Sequence, residues 1–151
     1  MEYASIEREI RIEAAPAVVF EVVSSPEHLK QWWADEAEFA PVAGDSGRIG
    51  FHQDGGAVAW ERFTVVDAQP PRLFSFRWTH ADGEEAAPGN SFLVVFELEP
   101  EGAGTILRMT ETGFRERGWS EAVAAQHHAD HVSGWDFFLP RLPAVAEKAA
   151  R

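Results

Sequence analysis

Residues 120–149 read SEAVAAQHHADHVSGWDFFLPRLPAVAEKA, and their reading decides the fold. Ser120 is a helix-capping residue type, and Glu121 suits the positive end of a first helical turn. Beyond them Ala124, His128, His131, Trp135, Phe138, Leu142, Val145 and Ala149 recur at three- and four-residue spacing. That spacing marks one buried face of an α-helix. Pro140 and Pro143 fall within the stripe. An interior proline has no N–H to bond the Asp136 carbonyl, and its ring clashes one turn back. A bend or break over residues 136–143 follows. A long terminal helix with one such face needs a surface to bury it against.

The residues before it supply a sheet. Ile6, Ile10 and Ile12 fall on one parity of residues 5–13, with Glu7, Glu9, Arg11 and Glu13 on the other, which is the pattern of a half-buried strand. Pro16 opens a short helix and Ser25-Pro26 a second, ending near Trp32-Trp33, with Ser25 as the N-cap. Strand patterns then cover 36–42, 47–53, 58–68, 72–80, 91–99 and 104–112. Gly44 to Gly47, Asp54 to Gly56, Pro70-Pro71, Asp82 to Asn90 and Glu101 to Gly104 separate them. Such short connections imply an antiparallel meander. The fold class is α+β: a curved antiparallel sheet of six or seven strands wrapped around the C-terminal helix, with two short helices after the first strand. No linker divides the chain, and residues 1–151 read as a single domain.

The 151 residues are 45% hydrophobic and carry a formal net charge of −12. That charge disfavours nucleic acid and anionic membrane surfaces, both of which call for a basic patch. There is no cysteine, hence no disulfide, thiolate metal site or cysteine nucleophile. Met1 to Ser5 lack the basic-then-apolar pattern of a signal peptide. The expectation is a soluble cytoplasmic protein, monomer or homodimer, with no cofactor. No G-x-S-x-G elbow, P-loop or dinucleotide fingerprint occurs. His127 and His131 lie one turn apart. The glutamate of the helical zinc-protease motif is missing and no third ligand is placed, so no metal site is assigned.

Several motifs in order resemble the START-like, or SRPBCC, superfamily with its helix-grip fold, and within it the family of the activator of heat-shock protein 90 ATPase. They are Ala14-Ala15-Pro16 with Val19-Phe20, Pro26-Glu27-His28-Leu29 with Trp32-Trp33, and Pro70-Pro71-Arg72-Leu73 leading to Trp78. Gly104-Thr105 and His131 to Trp135 complete the set. The resemblance implies a small-molecule cavity between sheet and long helix. It supplies no universal catalytic residue. The two prolines depart from the uninterrupted final helix usual in the family.

Strand parity then selects candidates. Phe92, Val94, Phe96 and Leu98 face inward, as do Phe74, Phe76, Trp78 and His80, and Leu107, Met109 and Glu111. Arg8 shares the inward parity of the first strand. If that strand pairs with the last, as the resemblance implies, Arg8 comes close to Glu111, as a structural ion pair or as a polar anchor for a ligand. Trp33, Trp60, Trp78 and Trp135 read either as core or as an aromatic pocket. His131 faces the cavity one turn before Trp135. The ligand-binding set is therefore Arg8, Trp33, Trp60, Trp78, Phe96, Met109, Glu111, His131 and Trp135. The function expected is binding of a small hydrophobic, amphipathic or aromatic molecule. An enzyme of the cyclase, hydratase or hydrolase type using Glu111 and His131 is the alternative, and a chaperone-ATPase-modulating interaction domain a second. An open cavity above about 300 Å³ distinguishes the first two from the third.

Overall fold

The computed structural model describes residues 5–151; Met1–Ala4, on which the leader reading rests, lie outside it. Seven strands form one antiparallel sheet in the order β1-β7-β6-β5-β4-β3-β2. They are β1 (Ser5–Ile12), β2 (Glu36–Glu38), β3 (Ser46–His52), β4 (Val58–Gln69), β5 (Leu73–Trp78), β6 (Phe92–Glu101) and β7 (Gly104–Thr112). Helices α1 (Pro16–Ser24) and α2 (Pro26–Trp32) follow the first strand. Helix α3 (Glu121–Phe138) and helix α4 (Leu142–Ala149) close the chain.

The expected β2 shortens from 36–42 to three residues. Pro41 cannot donate to a ladder, and Phe39 leaves the strand to stack on Phe63 at 4.4 Å. Both short helices start at proline. Ser25 joins them through its backbone alone: its N–H bonds Glu21 and its carbonyl accepts from Leu29, without the side-chain cap expected. At α3 the cap is made as expected, Ser120 accepting from the Val123 N–H.

The terminal helix breaks where its prolines dictate. A single 3-10 turn, Leu139–Arg141, separates α3 from α4. The break shifts the phase of the buried stripe. Trp135 is followed by buried Leu139, Leu142 and Ala146, while Ala149 is exposed and Phe138 and Val145 are only half-buried. Helix α4 packs on α1, α2 and β1.

Those helices fill one half of the concave face. Val19, Val22, Val23, Leu29 and Trp32 are buried with Phe74, Phe76 and Phe96. Phe20 meets Phe74 edge-on, and Trp32 meets Phe96 the same way, each at 6.2 Å. The Trp32 indole donates to the Val22 carbonyl at 2.9 Å, so its one polar group is satisfied inside the core. No helix of the described residues is long and apolar enough to cross a membrane.

Candidate functional site

The other half of the concave face, under α3, carries a carboxyl group. The β7 pleat that buries Leu107 and Met109 buries Glu111 completely. A carboxylate in such a place is costly unless hydrogen-bonded, and three side chains meet it. Trp78 of β5 donates to Oε2 at 2.8 Å, and Trp135 of α3 donates to Oε1 at 2.9 Å. His131 Nδ1 lies 2.7 Å from Oε1. An indole N–H can only donate, so both carboxyl oxygens act as acceptors. His131 Nδ1 shares Oε1 with the Trp135 N–H, and Nε2 is the ring nitrogen that this network does not engage.

His131 sits among rings, 4.5 Å from Phe92, 5.3 Å from Phe114 and 5.5 Å from Trp78, between centroids. Beside it Trp33, Phe51, Trp78, Asp130, His131, Gly134, Trp135 and Phe138 line a cavity of about 120 Å³ that is open to solvent on one side. Trp33 forms the partition with the filled core. It stacks on Trp32 at 6.0 Å and lies 5.1 Å from both Trp78 and Trp135. Gly134 gives the helical wall its gap, since a Cβ there would meet nothing within 4 Å. A larger depression of about 390 Å³ lies along β1, β6 and β7. Its wall is mainly charged surface, with Arg108 ion-paired to Glu9 and Glu99, and it has no aromatic lining.

The nine candidates thus divide. Trp33, Trp78, His131 and Trp135 line the cavity, and Glu111 anchors three of them from behind. Phe96 and Met109 are fully packed core. Trp60 lies on the opposite face of β4, partly exposed, with the Arg48 guanidinium 3.7 Å above its ring. Arg8 faces inward as expected but not toward Glu111. The β1–β7 register sets Ile6 opposite Glu111 and Arg8 opposite Met109. Arg8 reaches Asp136 of α3 instead, at 2.9 Å, and holds that carboxyl below its usual range.

Glu61 was missed. It shares the inward parity of Phe63 and Val65 on β4, which the sequence displays. Burial pushes its carboxyl above the usual range, and the nearby charge of His131 opposes the shift. Phe51, Asp130 and Phe138 are further wall residues beyond the expected set. His127 and His131 do not converge: His127 stacks on Trp119 at 4.0 Å, while His128 bonds the Ser5 carbonyl at 2.9 Å. No group of three metal-ligating side chains forms among the described residues.

The family described as Activator of Hsp90 ATPase homolog 1-like protein matches residues 13–147. The chain belongs to that family. Its helix-grip fold recurs in a protein of Nitrosomonas europaea at a TM-score of 0.79 and 13% identity, covering 98% of this chain and 97% of that one. A protein of Mesorhizobium loti gives a TM-score of 0.72 at 21% identity, with 95% and 97% covered. The Aha1 dimer of Colwellia psychrerythraea gives 0.67 at 22% identity, with 97% and 98% covered. No curated protein matches the chain. These identities establish a shared fold; the chemistry rests on the site itself.

Proposed function

We propose that this protein binds a small hydrophobic or amphipathic molecule in the cavity between the sheet and α3, within the cytoplasm. The observation that carries the reading is the pairing of an aromatic-walled cavity with an imidazole oriented by a buried carboxyl group. Apolar walls with a few convergent polar groups are the common design of ligand sites. The cavity, about 120 Å³, falls below the roughly 300 Å³ expected to set binding or catalysis apart from an interaction domain, so the reading rests on the lining and not on the volume. An apolar cavity of about 150 Å³ holds benzene. The enclosed part of the guest is therefore one ring or one branched alkyl group, with His131 Nε2 available to its polar atom.

Native mass spectrometry of the purified protein tests for a retained guest. An NMR titration with benzene, phenol and tert-butanol tests the pocket directly. Saturable shifts of the Trp78 and Trp135 indole N–H signals are expected. No retained molecule and no shift with any of the three at millimolar concentration would remove the binding reading.

A further inference from the structure

We infer that the guest is a small organic cation, an ammonium group on a compact alkyl or aromatic body; this rests on the binding reading above and adds the sign of the charge. Five aromatic residues line the cavity, Trp33, Phe51, Trp78, Trp135 and Phe138. Rings attract cations through their negative faces, and an aromatic cage is how proteins recognise alkylated ammonium groups. Two of these rings are tuned in the favourable direction. Trp78 and Trp135 commit their N–H groups to Glu111, so those positive edges are already occupied. Donation to the Glu111 carboxyl oxygens also pushes electron density into the indole, which strengthens the attraction of its face for a cation.

The formal charges agree. Asp130 stands in the wall, Glu111 lies directly behind it, and Glu61 shares the inward side of β4 with Phe63 and Val65. No lysine or arginine lines the cavity. Arg8, the cation that β1 turns toward α3, is paired with Asp136. Burial raises the Glu61 carboxyl, and a cation near the inward side of β4 would favour its ionised form. An anionic guest would meet Asp130 in the wall with no lysine or arginine beside it, and His131, the one basic side chain in that wall, is already bonded to Glu111 through Nδ1. A net charge of −12 adds a general attraction for cations over anions.

Three probes share one branched body and differ in charge: choline, 3,3-dimethyl-1-butanol and 3,3-dimethylbutanoate. Each is titrated into the protein while the Trp78 and Trp135 indole N–H signals are followed. Choline is expected to bind about tenfold more tightly than the alcohol, consistent with a desolvated cation–π site. The anion is expected to produce no saturable shift. Glu61→Gln, an isosteric change at a half-buried position, should weaken choline several-fold and leave the alcohol unchanged. Asp130→Asn should act in the same direction. Equal or tighter binding of the alcohol overturns the cation assignment and leaves the pocket standing. Silence of all three probes, with shifts from phenol or benzene, has the same consequence. Choline affinity unchanged in both acid variants overturns the electrostatic assignment as well.

Discussion

The two halves of the concave face are built from the same residue types and end in different states. Under α1, α2 and α4, phenylalanines meet valines and leucines from three helices, and the space is closed. Under α3 the wall is nearly as aromatic, yet a gap remains. The difference lies in the covering helix. Helix α1 buries Val19, Phe20, Val22, Val23 and Ser24 within nine residues, whereas α3 buries only Ala124 and Trp135 in eighteen. A helix that offers His131, Gly134 and Asp130 to a sheet cannot fill it. Aromatic content therefore does not distinguish core from site here; the polar and missing side chains of the facing helix do.

The contrast can be broken most forcefully in the closed half. Phe76→Ala removes a fully buried ring stacked on Phe63 and should cost about 3–5 kcal/mol in urea denaturation. The Trp78 and Trp135 indole signals should keep their hydrogen-bonded positions in the surviving fold. A cost below about 1 kcal/mol would mean that this half is not closed. In the other half Glu111→Leu strands two indole donors and one imidazole nitrogen. A loss of about 2–4 kcal/mol is expected, with both indole signals moving together; movement of one alone would contradict a shared acceptor.

Smaller changes sharpen the comparison. Gly134→Ala trades an interior helical glycine for a better helix former and should stabilise by about 0.5–1 kcal/mol. The same methyl narrows the cavity, so thermal denaturation should rise while benzene affinity falls. Glu61→Gln should have the smallest effect on stability. Its carboxyl is raised in the folded state, so folding favours the protonated form. The stability this supplies is full below the ordinary glutamate range and is lost as pH rises through the raised value. The variant should match the parent in acid and exceed it at neutral pH. Screening of the half-exposed side chain keeps the gain below about 1 kcal/mol. Equal stability at both pH values would disconnect Glu61 from the buried side of β4.

Period and punctuation made much of this legible. The seven strands, the proline starts of α1 and α2, the Ser120 cap and the break before Pro140 follow from short-range rules that operate within each segment. The inward position of Glu111 follows from Leu107 and Met109 beside it. What failed needed relations between segments. Arg8 had the right face but the wrong partner, because a single pleat of register decides between Glu111 and Asp136, and neither strand carries a mark of that register. Trp60 was a different failure. Phe63 and Val65 place odd-numbered β4 residues inward and Trp60 outward, so strand parity, not aromatic character, decides which β4 residues reach the pocket side. Glu61 is marked by the same parity. The size of the cavity was beyond sequence reading altogether, because it depends on how five aromatic rings share one space.

The 3-10 turn at Leu139–Arg141 divides labour within the terminal segment. Helix α4 is fastened to α1, α2 and β1, and α3 is fastened to Glu111 and Arg8. Replacements at Asp130 and Gly134, which take no part in the bonds to Glu111 and Arg8, can therefore alter what the cavity admits without passing strain to the packing of α4. Selection has a cheap route to new specificities on this scaffold: the wall can diversify while the keystone that holds the domain together stays as it is.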